Sequence, residues 1–128
     1  DYALQGAYDG FLMLGGGTGI TPLWQIIRDE RFAFKEKRLI FANVTEEDIL
    51  LRRELEEKVG KYFQVEFILN QPSLEWKGKV GFITQKLVKE EIVKIQTNHV
   101  LVLICGPPPM VRAMKTICDD CNLKYFAF

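Results

Sequence analysis

Phe11-Leu12-Met13-Leu14-Gly15-Gly16-Gly17-Thr18-Gly19-Ile20-Thr21-Pro22 is the stretch that decides the fold. Four consecutive apolar residues ending abruptly in glycine read as a strand buried on both faces, because a half-exposed strand would alternate apolar with polar. Thr21 offers a hydroxyl suited to an N-cap and Pro22 suits a first helical turn. Leu23, Ile26 and Ile27 then supply an apolar stripe at helical spacing. The chain therefore begins as strand, glycine loop, helix.

The alternation repeats downstream. Leu39 to Ala42 predicts a second strand ending at Asn43, and Thr45-Glu46-Glu47-Asp48 predicts a helix start close to a capping box, with Asp48 in place of Glu or Gln. Ile49, Leu51, Leu55 and Val59 give that helix a buried side, and Gly60 ends it. Val65 to Leu69 predicts a third strand, which runs into the polar turn Asn70-Gln71-Pro72-Ser73. Thr84 caps a helix through roughly Val93. Val100 to Ile104 predicts a fourth strand ending in Cys105-Gly106-Pro107-Pro108-Pro109, where proline fixes a helix start that runs toward Asn122. Lys124 to Phe128 alternates as a fifth strand. No internal repeat or low-complexity stretch is present.

Five strands alternating with helices give an open α/β parallel sheet with helices on both faces. Right-handed crossovers order it 3-2-1-4-5, with the direction reversing between strands one and four. At such a switch point the loops leaving the two strands diverge, and ligands bind in the crevice between them. Those loops are Gly15–Gly19 and Cys105–Pro109, the compositionally most unusual segments of the chain. Composition and topology thus select one place.

Composition narrows the partners. The 128 residues are one domain's worth, with 48% hydrophobic and 27% charged residues, an ordinary globular balance. Lysine plus arginine equals aspartate plus glutamate at 17 each, so a nucleic-acid partner is not expected. The apolar runs are too short to cross a bilayer, and no signal peptide is visible. Three cysteines do not make a disulfide framework, which points to a reducing intracellular setting. The first residue is Asp1, and residues 1–10 read as a linker, so a piece of a longer polypeptide is expected, with the domain proper at 11–128.

The four glycines within Gly15–Gly19 leave backbone amides bare to a bulky anion, and the helix opening at Pro22 aims its positive end at the same crevice. A tight ligand-free turn would need only one of them. The spacing does not satisfy G-x-G-x-x-G, which requires glycine at Ile20, and no Gly-Lys-Ser/Thr follows for a P-loop. A nucleotide site of another kind remains.

Three segments carry a resemblance: GGGTGITP at Gly15–Pro22, FANVTEEDILLRRELE at Phe41–Glu56 and CGPPPM at Cys105–Met110. In this order and spacing the chain from about Phe11 to Phe128 resembles the C-terminal domain of the ferredoxin–NADP reductase superfamily. The branch it resembles is NADH–cytochrome b5 reductase, with the reductase part of nitrate reductase close by. The resemblance implies NADH as the bound nucleotide. It also implies FAD, held mainly on a preceding barrel domain of the same polypeptide; no Arg-x-Tyr-Ser/Thr flavin motif occurs here. It further implies a haem-protein electron acceptor such as cytochrome b5, and a cytoplasmic location or one on the cytosolic face of a membrane through a segment outside this stretch. Residue by residue, Gly16, Gly17, Thr18 and Gly19 match the loop beside the pyrophosphate and nicotinamide, continued by Thr21 and Pro22. Cys105 matches the catalytic cysteine beside the nicotinamide and flavin. Gly106, Pro107 and Pro108 match the wall of that pocket, with Met110 toward the adenosine. Phe82 matches an aromatic near the adenine, and Phe128 the C-terminal aromatic near the flavin edge. Asn70 stands where cytochrome b5 reductases usually carry an aspartate facing the adenosine ribose, and Asn43 closes the neighbouring strand.

The residues by themselves leave plainer readings open. Cys105 could be a small hydrophobe at a strand end. Cys118-Asp119-Asp120-Cys121 falls near a helix end, the wrong place for a redox pair, and no further zinc ligands are visible, so no metal is expected. His99 has no nameable partner and reads as a surface residue, and Trp24 and Trp76 read as packing. A non-catalytic nucleotide-binding or interaction module on the same fold is the rival from another class. For the choice between NADH and NADPH, the ends of strands two and three hold acids or neutral residues. Lys77, Lys79, Arg52 and Arg53 lie a few residues further on. That pattern predicts a modest NADH preference, from lack of attraction for a 2′-phosphate rather than from repulsion.

Overall fold

A computed structural model describes residues 7–128. In chain order the elements are β1 (Gly10–Gly16), α1 (Ile20–Ile27), β2 (Glu36–Asn43), α2 (Arg52–Lys58), β3 (Phe63–Leu69), β4 (Lys79–Val80), α3 (Gln85–Ile92), β5 (Val100–Cys105), α4 (Pro108–Asp120) and β6 (Tyr125–Ala127). All strand pairings are parallel, in the order β4-β3-β2-β1-β5-β6. The expected five-strand order is present in full, and the two-residue β4 extends it by one edge strand. β4 escaped the sequence reading because two residues carry no period. β1 takes in Gly10, the last residue of the expected linker. Residues 1–6 of that stretch lie outside the described residues.

The period of two in β1 sorts its side chains onto two cores. Phe11 and Met13 join Ile20, Leu23, Leu39, Phe41 and Leu55 under α1 and α2, whereas Leu12 and Leu14 join Ile40, Leu87, Val102 and Met114 under α3 and α4. Phe11 to Leu14 are fully buried. Burial of each such side chain favours the fold by about 1.5–3 kcal/mol, which is why a four-residue apolar run can only be the central strand. No helix among the described residues is long and apolar enough to cross a membrane.

Helix starts depart from expectation in two places. Thr21 is not an N-cap: a 3-10 turn over Gly17–Gly19 runs straight into α1, whose N-cap is Gly19. The compact glycine turn starts the helix two residues early. The helix expected from Thr45 is split into a 3-10 turn over Glu46–Asp48 and the seven-residue α2, with Leu51 in the left-handed region at φ 58° between them. Asp48 does fold back as expected, accepting from the Thr45 amide and hydroxyl at 2.9 Å each. Its short side chain closes one tight turn. Leu55 is buried, but Val59 is exposed and α2 ends at Lys58, so the stripe assigned to this helix is shorter than the pattern indicated. Thr84 caps α3 as expected, accepting from the Leu87 amide at 3.2 Å.

Buried charge sits in the amino-terminal half of the sheet. Glu91, 2% exposed, accepts from Arg38 at 3.0 Å and from Lys94 at 2.8 Å. Burial pushes its carboxyl up, but the Lys94 ammonium and the Arg38 guanidinium more than offset this, leaving it below the ordinary carboxylate value. Lys37 is also buried and donates to the carbonyls of Phe32 and Lys35 at 2.6 Å each. Burial, with a smaller push from Lys58, lowers its pKa to about 8.

Candidate functional site

The register places the expected residues along one edge. Gly16 pairs beside Ala42, Gly15 beside Cys105, Asn43 beside Leu69 and Ile104 beside Ala127. From β3 to β6 the carboxyl edge therefore reads Asn70, Asn43, Gly16, Cys105, Phe128. Backbone bonds stitch its rim: the Asn70 amide donates to Asn43 O at 3.2 Å and the Phe128 amide to Ile104 O at 2.9 Å.

Its centre is the meeting of two loops. A Cβ on Gly19 would collide with the Cys105 carbonyl and stand 2.7 Å from the Gly106 nitrogen, so only glycine lets α1 start this close to β5. Gly17 takes φ +53° with nothing within 4 Å of its Cβ position, so the turn is bare toward solvent. Thr18 and Thr21 are exposed and Pro22 is half-buried beside this turn. On the other side, Pro107 is the N-cap of α4 and Pro108 its first residue. The Met110 sulfur lies 2.8 Å from the Cβ position of Gly106 and also lies against Gly16, between the two loops.

Cys105 ends β5 half-buried, and burial raises its thiol pKa above the ordinary value, so it stays protonated at neutral pH. Asn43 is 8% exposed and, by the alternation of β2, lies on the α1 face with Phe41. Its Nδ2 is a buried side-chain donor with no partner among the described residues. A buried amide hydrogen left unpaired costs about 1–3 kcal/mol. Phe82 is 72% exposed just past Gly81, whose φ is +116°. The Phe126 and Phe128 rings meet edge-on at 5.1 Å, both about half exposed.

Several residues stand apart from this edge. Cys118 is fully buried on the inner side of α4, and burial together with Cys121 and Asp119 raises its pKa to about 11, so Cys118 offers no reactive thiolate there. No group of three metal-binding side chains occurs among the described residues. His99 lies at the surface as expected but has a partner that the sequence did not reveal, Asp9 Oδ2 at 3.1 Å from its Nδ1. Trp76 is more than packing. With Phe67 it brackets the Arg52 guanidinium, at 5.6 and 5.7 Å, while Arg52 donates to Glu46 at 2.6 Å and Glu56 at 3.4 Å. Arg52 and Glu56 stand at i,i+4 on α2, whereas the rings beside Arg52 come from β3 and a distant loop.

A doubly wound parallel sheet with bare glycine turns at its switch point defines a dinucleotide-binding α/β domain. The family model for the oxidoreductase NAD-binding domain matches residues 13–116, and the chain belongs to that family. A curated relative, NADH-cytochrome b5 reductase 1 of Cryptococcus neoformans, is 42% identical over an alignment 116 residues long, and the match covers 81% of this chain and 40% of the relative. The chain thus spans less than half of that relative's length. Among solved structures, the CS-b5R domains of human Ncb5or in the NAD+ form superpose with TM-score 0.89 and 31% identity, covering all of this chain and 39% of that one. The cytochrome b5 reductase domain of Ulva prolifera nitrate reductase gives TM-score 0.80 and 27% identity, covering 94% of this chain and 50% of that one.

The residues fit a dinucleotide. The bare turn at Gly17 can admit an anionic pyrophosphate against backbone amides, and the unpaired Asn43 amide offers a donor beside it.

Proposed function

We propose that this chain is the pyridine-nucleotide domain of an NADH-dependent, FAD-containing reductase of the NADH–cytochrome b5 reductase kind. The observation that carries the reading is the bare Gly17–Gly19 turn seated on Cys105–Gly106 where the strand order reverses. NADH and FAD together supply the redox chemistry, a hydride passing between them and single electrons going on to a haem protein such as cytochrome b5. The protein's part is to bind and orient. Gly16 to Gly19, with the first amides of α1, receive the pyrophosphate. Asn43 donates its free amide hydrogens to the nucleotide, and the exposed Phe82 ring offers a stacking face for the adenine. Gly106, Pro107 and Pro108 wall the nicotinamide end, and Met110 sits between the two loops. Cys105, kept as a neutral thiol by burial, positions the ring at that end and moves no proton at neutral pH.

The flavin domain fits the β6 side. A cavity of about 650 Å³ there is lined mostly by apolar side chains, with Asp29 and Arg31 also on its wall, and it reaches the crevice at Pro22 and Phe128. Three unpaired cysteines suit a cytosolic setting, free or at a membrane face. Asn70 and the acids beyond β2 favour NADH modestly. Titration of the chain with NAD+, followed by calorimetry, should give saturable one-site binding, and the purified chain should carry no flavin. Absence of saturable NAD+ binding refutes the reading, and a yellow protein with stoichiometric FAD refutes the division between two domains.

A further inference from the structure

A cavity of about 310 Å³ is lined by Glu46 just beyond β2, by Phe67 near the end of β3, and by Arg52, Glu75, Trp76 and Lys77. It contains the cations that a phosphorylated ribose would need. None stands alone, because Glu46, Glu66 and Glu75 share the cavity with Arg52 and Lys77 and leave it with an acidic excess.

Arg52 is held by four residues. Its Nη1 donates to Glu46 and its Nε to Glu56, and its guanidinium carbon lies 5.7 and 5.6 Å from the ring centroids of Phe67 and Trp76. The indole N–H of Trp76 donates to Lys79 O at 2.9 Å, and the Trp76 ring packs on Gly78, so the bracket itself is fixed. A guanidinium is planar, permanently charged and forked, the group that best grips a phosphate. Here two of its nitrogens, Nη1 and Nε, already donate to carboxylates. The first acid after β2 thus removes the arginine most suited to a 2′-phosphate and adds a negative charge of its own.

We propose that Glu46 is a specificity-determining residue, which selects against 2′-phosphorylated nucleotides by holding Arg52 in the Phe67–Trp76 bracket. This rests on the dinucleotide reading of the neighbouring crevice. Glu46 and Arg52 are both more than a third exposed, so the ion pair is weak and a phosphate dianion competes with it. Discrimination from this source is therefore modest, about five-fold, matching the upper range for an exposed pair.

The test compares NAD+ and NADP+ affinities of the full chain by calorimetry. In Glu46→Gln the ratio of NADP+ to NAD+ affinity should rise about five-fold, and in Glu46→Gln/Arg52→Gln the rise should disappear. NAD+ binding with an unchanged ratio in Glu46→Gln, or a rise that survives loss of Arg52, overturns the inference alone. Failure of every variant and of the wild type to bind NAD+ overturns the dinucleotide reading and the inference together. Surface positions of this kind tolerate substitution, and matched melting temperatures for the variants will establish that they fold.

Discussion

The two ends of the sheet are built on opposite rules. In the amino-terminal half, buried charges have partners: Glu91 holds Arg38 and Lys94, and Lys37 donates to two carbonyls. At the carboxyl edge, Asn43 buries an amide with no partner among the described residues, Gly17 stands bare, and two backbones meet at Gly19 with no side chain between them. A satisfied polar group contributes to stability, whereas an unsatisfied one lowers it unless something arrives to pair with it. The difference separates the half of the domain that keeps the fold from the edge where we propose that the nucleotide binds.

The largest effect should come from closing the contact between the loops. Gly19→Ala places a Cβ against the Cys105 carbonyl and the Gly106 nitrogen, both backbone, so neither can swing aside. We expect a loss of about 3 kcal/mol in urea unfolding and more than ten-fold weaker NAD+ binding. Gly17→Ala is the control. Its Cβ meets nothing, and only the φ of +53° is strained, so about 1 kcal/mol is expected. Equal losses in the two variants would mean that the loops are not in contact as described.

The amino-terminal half can be tested by pH. The pKa of Lys37 is lowered from 10.5 to about 8, mainly by burial. Below pH 8 both folded and unfolded chains hold the proton, and the cost of burying the charge is fully present. Between pH 8 and 10.5 the unfolded chain binds more protons than the folded one, so stability rises with pH across that window. The carbonyls of Phe32 and Lys35 hold the ammonium and shrink the gain, so wild type should improve on Lys37→Met by about 2 kcal/mol between pH 7.5 and 10. A difference that stays constant with pH would show that Lys37 keeps its ordinary titration.

What the sequence disclosed and what it hid follow the same division. Phe11 to Gly19 disclosed the central strand and the switch point because burial on both faces leaves a continuous apolar run with no competing reading. Cys105 to Pro109 disclosed the second loop because proline restricts where a helix can begin. The break at Leu51 stayed hidden: Ile49, Leu51 and Leu55 satisfy a helical period, and nothing in that period marks the left-handed residue between the Glu46–Asp48 turn and α2. β4 stayed hidden because its two residues owe their pairing to β3. Thr21 misled because a cap needs the helix to start after it, and the Gly17–Gly19 turn had already begun the winding. The rings beside Arg52 and the carboxylate beside His99 come from segments distant in sequence, where residue spacing carries no information.

Asn43 gives the smallest expected effect and the sharpest one, because its two consequences have opposite signs. Its side chain is buried on the α1 face beside Phe41, and its Nδ2 lacks an acceptor, while its backbone carbonyl still accepts from the Asn70 amide. Asn43→Leu keeps the volume and the backbone bond and replaces the side-chain amide, with its unpaired Nδ2, by apolar groups. If the amide serves the fold, the variant should be less stable and bind NAD+ as before. If the amide serves a ligand, the free domain should gain stability by about 1 kcal/mol, and NAD+ binding should weaken by about five-fold, the loss of one hydrogen bond. We expect the second pattern, measured by urea unfolding without nucleotide and by calorimetry with it. The two readouts are independent, since a general disruption would lower both and relief of burial alone would raise stability and leave affinity unchanged. Only opposite movement of the two marks a donor held in reserve for the nucleotide.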